Sequence, residues 1–286
     1  MKTKVKIVTD STVDLPLEEI ERLGVTIVPL TVTVEGKSFI DGVDITPSEF
    51  VELLVNTEEI PLSSQPSAGT FLEVYNQLGA DGSAVLSIHM TSGMSGTYMS
   101  AKAAADMSEA DVTVVDSRFI SSALSFQVKE ASEMAASGAT VEEIIHRLEK
   151  IKKNTSLYIM VDTLEYLVKG GRIGRGKALV GSLLKIKPLA SLQDGVYTPV
   201  AKVRTYMQMI KHFTKKFEEE TAGKLVKGIG IAQVEARELA NQLKEAIREV
   251  TDFKDITIVD TTPIISTHTG PGALALMYYT DEINHR

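Results

Sequence analysis

Four times in this chain an apolar run ends in aspartate followed by a hydroxyl residue: Val8-Thr9-Asp10-Ser11, Val115-Asp116-Ser117, Val161-Asp162-Thr163 and Val259-Asp260-Thr261. Aspartate, serine and threonine are good helix N-caps, so each junction reads as a strand ending and a helix beginning. Repeating that unit winds a chain back and forth across a parallel sheet, which makes the fold α/β. The carboxyl ends of such strands are also where open sheets bind ligands. Asp10 and Asp116 therefore stand as either caps or ligand-facing groups, while Asp162 and Asp260 read as punctuation.

The rest of the pattern fills in around these junctions. Strands are expected over 4–8, 25–34, 85–88 and 112–115, with helices between them. Pro16 opens a helix that Gly24 stops, and capping boxes at Thr46 with Glu49 and Thr140 with Glu143 open two more. A hydroxyl-rich loop at 62–67 precedes a helix over 69–78. After Ser156 the texture changes, with a strand over 157–161, a short helix over 164–168 and a glycine-rich segment. Asp194-Gly195 between apolar runs at 187–192 and 196–203 is a strong hairpin signal. Helices over 206–220 and 236–250 alternate with strands over 228–233, 256–259 and 273–279, and 267–272 reads as a loop. Residues 1–154 and 155–286 are thus expected as two units, the first on a parallel sheet and the second on a mixed one.

At 286 residues the chain is long enough for two domains. Its net charge of −8 lacks the basic face that general nucleic-acid binding needs. No run reaches the roughly 18 apolar residues of a membrane helix. The basic N-terminal stretch has too short an apolar part for a signal peptide and reads as a first strand. With no cysteine there is no thiol chemistry or cysteine-based metal site, and a cytoplasmic location fits. The five histidines (His89, His146, His212, His268, His285) share no helix face at ligand spacing, so no metal site is expected. His146 and His212 lie in polar helical stretches and read as solvated.

Two motifs nearly match catalytic signatures. Residues 171–178 follow a phosphate-binding P-loop except that Ala178 stands where Ser or Thr must hold magnesium, and the segment follows a helix where a strand is needed. Gly93-Met94-Ser95-Gly96 resembles a nucleophile elbow with its second glycine one residue early. Ser95 is then a candidate nucleophile with His268 or His89 as base, and the whole MTSGMSG turn is a candidate anion site at a helix start. Four of the ten methionines lie in this stretch, Met90, Met94, Met99 and Met107, and supply soft apolar surface.

The order TDSTVDLP, SSQPSAGTF, TSGMSGTY, VVDSR, TLEYLVKGGRI, LKIKPL, DGVY with KVR, and THTGPGALAL resembles the DegV family of bacterial lipid-binding proteins over nearly the whole chain. The resemblance implies an α/β/α domain with a parallel sheet packed on a second α/β domain, with a long-chain fatty acid such as palmitate held between or within them. It places the carboxylate on Ser63, where the family commonly has threonine, and on Ser95. Arg172 and His268 map near the mouth of the site. Lys202 and Arg204 are expected as a solvated basic end, with head-group or partner docking as the other option. It further implies a non-catalytic carrier without a cofactor, presenting the acid to a separate ATP-binding subunit of a fatty acid kinase. An acyl hydrolase or acyltransferase using Ser95 with His268 is the alternative.

Overall fold

The computed structural model describes residues 4–57, 59–179 and 186–283. His285 and the Leu184-Lys185 start of the LKIKPL motif lie outside them. The chain runs through β1 (Val5–Asp10), a 3-10 turn (Ser11–Val13), α1 (Leu17–Leu23), β2 (Thr26–Val28), β3 (Thr31–Val34) and β4 (Lys37–Ile40). It continues with α2 (Pro47–Asn56), β5 (Leu62–Ser64), α3 (Ala68–Gly79), β6 (Ala84–His89), α4 (Thr97–Met107), β7 (Val112–Asp116), α5 (Ser121–Ala136) and α6 (Val141–Lys153). Then come β8 (Thr155–Met160), α7 (Glu165–Lys169), a second 3-10 stretch (Gly174–Leu179), β9 (Lys187–Gln193) and β10 (Val196–Val203). The last elements are α8 (Tyr206–Thr221), β11 (Lys224–Gln233), α9 (Arg237–Arg248), β12 (Ile256–Asp260), α10 (Pro263–Thr269) and β13 (Leu274–Glu282).

Three sheets result. A four-stranded parallel sheet has the order β2-β1-β6-β7. A six-stranded mixed sheet has the order β10-β9-β8-β13-β11-β12, antiparallel except where β11 meets β12. A small antiparallel sheet, β4-β3-β5, was not expected. It exists because Pro29, which has no N–H to donate, splits the expected 25–34 strand. β2 stays in the parallel sheet, whereas β3 leaves it to pair with β4 and β5. β5 in turn forms within the segment read as a loop, since Thr31, Val32 and Thr33 offer it partners.

Helix α10 also replaces an expected loop. Pro263 sits in its first turn, and the hydroxyls of Thr267 and Thr269 donate back to the carbonyls of Pro263 (2.8 Å) and Ile265 (3.0 Å). This i−4 bonding satisfies polar side chains that look like loop chemistry in sequence, and so lets them be buried. Both expected capping boxes form, at Thr46 with Glu49 and at Thr140 with Glu143. The glycine-rich 171–178 segment follows α7, a helix, so the strand that a P-loop requires is missing there.

Helix α5 joins the sheets. Ser122, Ala123 and Phe126 on it are buried, and Phe126 stacks obliquely on Tyr279 of β13 at 4.9 Å between ring centres. One continuous core therefore runs from Ile7 and Leu86 in the parallel sheet through α5 to Leu157, Ile159 and Met277 in the mixed one. No helix among the described residues is long and apolar enough to cross a membrane.

Candidate functional site

Ser63, Ser95, Arg172 and His268 come from four separate elements and line one cavity. Ser63 sits opposite Val32 in the β3–β5 pairing, and the two-residue strand period turns it inward while Leu62 and Ser64 face out. Ser95 lies on the turn between β6 and α4, Arg172 just past α7, and His268 in the last turn of α10. The other walls are apolar, among them Leu30, Met90, Met94, Leu157, Ile159, Leu192 and Ile264. The cavity encloses about 600 Å³ of non-atom space, its solvent-facing mouth included. A second cavity of about 330 Å³ shares the walls Ile120, Leu157, Ile159, Ile265 and Thr269 and extends towards Ala232, Ala273, Ala275 and Met277.

The turn that carries Ser95 is fixed from three sides. Asp10 accepts from the Met90 N–H (2.8 Å), and Asp116 accepts from the Ser92 hydroxyl (2.6 Å). The Thr91 hydroxyl donates to the Gly195 carbonyl (2.9 Å) of the β9–β10 hairpin. Asp10 and Asp116 thus serve the turn, and neither lines the cavity. Ser95 Oγ accepts from the Thr97 N–H (3.2 Å) and shares a proton with the Thr97 hydroxyl (2.8 Å). The turn also meets the loop after Ser63: a Cβ on Gly96 would lie 2.2 Å from Gln65 Oε1. Only glycine lets that side chain lie across the turn, from where Gln65 donates to Ser100 Oγ (2.9 Å). The two serine loops are therefore locked together, a contact for which the sequence carries no periodic signal.

His268 does not reach Ser95. Its Nε2 lies 2.7 Å from Ser63 Oγ, and its Nδ1 is buried with no partner among the described residues. The ring fits against Gly170, where a Cβ would stand 2.2 Å from Nδ1. Burial, and next the nearby Arg172 charge, push the imidazole down to about 4, so it is neutral at pH 7. Arg172 donates to the carbonyls of Met94 (3.0 Å) and Gly170 (2.5 Å) and pairs with no carboxylate among the described residues. Burial also lowers its affinity for its proton. A half-buried cation held only by neutral carbonyls is electrostatically matched to an incoming anion.

His89, the other candidate base for Ser95, is engaged elsewhere. Its Nε2 meets Ser87 Oγ (2.7 Å) and its Nδ1 meets Asp10 Oδ2 (3.0 Å), with Tyr75 donating to Ser87 (2.8 Å). Hydroxyl, imidazole and carboxylate follow the order of a hydrolytic triad, but all three side chains are fully buried and none lines the cavity. Burial raises the Asp10 carboxyl, yet the bonds from His89, Thr12 and Met90 outweigh it and hold the group below its usual range. The network braces the ends of β1 and β6.

Lys202 and Arg204 are exposed and lie apart from the cavity lining, Lys202 opposite Pro188 in the hairpin. Met90 and Met94 line the cavity, whereas Met99 (59% exposed) and Met107 (56%) face out along α4. His146 is exposed as expected, but His212 is half-buried against Phe213. Among the described residues no group of three or more histidine or acidic side chains forms a metal site.

A family model described as "Uncharacterised protein, DegV family" matches residues 4–281. A DegV domain-containing protein of Staphylococcus aureus (strain N315) is 40% identical over 275 residues, 96% of this chain and 98% of that protein. One from Listeria monocytogenes is 41% identical over 279 residues, 97% of this chain and 99% of the relative. Among solved structures, a fatty-acid-binding DegV family protein from Thermus thermophilus superposes with a TM-score of 0.92 at 30% identity, covering 97% of this chain and all of that one. DegV of Bacillus subtilis, described as a fatty acid binding protein, gives 0.87 at 31% identity over 98% of this chain and 100% of its own.

Proposed function

The chain belongs to the DegV family, and from that premise we propose that it binds a long-chain fatty acid such as palmitate. Ser63 and Ser95 hold the carboxylate, with the Arg172 charge beside it. The tail runs along the apolar walls past Ile120 and Ile159 into the second cavity. What carries this reading is the convergence of two hydroxyls, an acid-free guanidinium and a neutral imidazole on one otherwise apolar cavity.

The energetics divide the work. Burying about 14 methylenes at ~0.8 kcal/mol each yields about 11 kcal/mol gross. Association and chain ordering offset several kcal/mol of it. A hydrogen bond to a charged carboxylate adds about 1.5–3 kcal/mol. Affinity therefore comes from the tail, and the serines decide where the head points. In the tautomer that carries its proton on Nε2, His268 donates to Ser63 Oγ, which turns the serine hydrogen towards the ligand. In this reading residues 1–154 supply the serine loops and residues 155–286 close over the chain.

We assign the protein the role of carrier. It presents the carboxylate to a separate ATP-binding fatty acid kinase subunit in the cytoplasm, which makes an acyl phosphate for phospholipid synthesis. A hydrolase using Ser95 with His268 is the weaker reading, because that imidazole bonds Ser63 and has no carboxylate to orient it among the described residues. Mass spectrometry of organic extracts from native protein tests the binding. Absence of fatty acid, together with no uptake of palmitate or oleate, would refute it. Adding a matching kinase subunit and ATP tests the presentation, which fails if bound acid yields no acyl phosphate.

A further inference from the structure

The mixed sheet presents two unlike faces at β11 and β13. Towards α8 and α9 it carries Ile229, Ile231, Leu274 and Leu276, all buried in one apolar core. The alternate residues, Gly228, Gly230, Ala232 and Ala275, face α5 and α10 and are small. Helix α5 fills the space over the two glycines: a Cβ would stand 2.9 Å from Phe126 at Gly228 and 2.4 Å from Ser122 at Gly230. That helix begins at Ser121, and past its end, over Ala232 and Ala275, lies the second cavity.

The two alanines are direct cross-strand partners, and Ala275 is also the partner of Ile159 on β8. Every residue lining this cavity except Ile120 is at most 8% exposed, so the way in is past the walls it shares with the serine-bearing cavity. Its four polar side chains are all engaged. Ser121 and Thr261 donate to Asp14, Gln233 to Asp260, and Thr269 to the Ile265 carbonyl. A hydroxyl on a buried chain end would find no partner there. Because β8, β13 and β11 are neighbours in the sheet, a tail crossing from Ile159 to Ala232 covers two strand spacings, about 10 Å. An extended alkyl chain advances about 1.25 Å per carbon, so about seven or eight carbons fit, the distal half of palmitate.

Resting on the fatty acid reading above, we propose that Ala232 and Ala275 set acyl length, selecting a palmitate-length chain that ends in an unsubstituted methyl. Displacement of a fluorescent fatty acid by decanoate, palmitate and 16-hydroxyhexadecanoate tests this. Each methylene buried in the second cavity should bring about fourfold in affinity, so the wild type should bind palmitate at least about 100-fold tighter than decanoate. It should also bind palmitate at least about tenfold tighter than the 16-hydroxy acid. Ala275→Leu and Ala232→Leu each put a branched side chain into the void. Both should bring palmitate within about tenfold of decanoate and leave decanoate within about threefold of wild type, since its shorter chain stops short of them. A palmitate preference that survives in both variants would overturn the assignment. So would equal binding of palmitate and the 16-hydroxy acid by the wild type, an arm that decides alone where a variant fails to fold. No binding of any acid by the wild type would overturn the fatty acid reading itself, and this assignment with it.

Discussion

His268 and Ser63 stand 205 positions apart in the chain, yet imidazole Nε2 and hydroxyl Oγ meet at 2.7 Å in the wall of the apolar cavity. If that pair aims a hydroxyl at a carboxylate, removing it must weaken binding without emptying the cavity. Ser63→Ala and Ser95→Ala are each expected to cut palmitate affinity by about 10- to 100-fold, the equivalent of one charged hydrogen bond. Displacement of a fluorescent fatty acid reads this directly. Wild-type affinity in the double variant would move the carboxylate elsewhere.

Arg172 and His268 are coupled through space. The guanidinium contributes to holding the imidazole down, second to burial. Arg172→Gln should therefore raise the His268 titration midpoint above about 4, as followed by NMR of the ring protons, and weaken palmitate binding by roughly tenfold. An unmoved midpoint would mean that burial alone sets it.

Stability should depend on pH through two groups of opposite sign. Unfolded, His268 titrates near 6.5, and folded it titrates at about 4. Between those values only the unfolded chain binds the proton, so stability falls as pH drops through that window, by roughly 3 kcal/mol in all. Asp41 is raised from 3.8 to about 7, so there the folded chain holds the extra proton, and stability falls as pH rises from 3.8 towards 7. The groups facing Asp41 are Ser11, the Ile264 N–H and the carboxyls of Asp14 and Asp10. Asp41→Asn should stabilise the protein at pH 8 by roughly 4 kcal/mol and far less at pH 4.5. Urea unfolding at the two pH values measures the difference, and equal gains would remove Asp41 as the cause.

The Gly96 and Gln65 contact predicts a rescue. Gly96→Ala puts a methyl where the Gln65 amide lies, so that side chain must swing away and give up its bond to Ser100, which should destabilise the fold by about 0.5–1.5 kcal/mol and loosen fatty acid binding. Adding Gln65→Ala makes room and should restore most of the stability. If the double variant is no better than the single one, the serine loops are not locked by this contact.

The strand and helix alternation was legible because it is written in local signals, namely aspartate junctions, two capping boxes and the Asp194-Gly195 hairpin. What failed was non-local. Nothing near Pro29 announces that β3 will abandon one sheet for another, and β5 is a strand only because β3 is beside it. α10 hid because its threonines bond their own backbone. Ser63, Ser95, Arg172 and His268 came from resemblance to a family, and periodicity alone would not have gathered them. The pairing of His268 with Ser63 in place of Ser95, and the Asp10–His89–Ser87 chain, depend on contacts between elements distant in sequence.

Helix α10 is seven residues long, about 10 Å at 1.5 Å per residue. Thr262, its N-cap, lines a solvent-open cleft beside Asp14 and Asp41, while Ile264, Ile265 and His268 belong to the serine-bearing cavity. The two compartments thus share a partition one helix thick. Thermodynamic reciprocity then applies to them: by whatever factor an occupant of one side changes the affinity of the other, an occupant of that other side changes the affinity of the first.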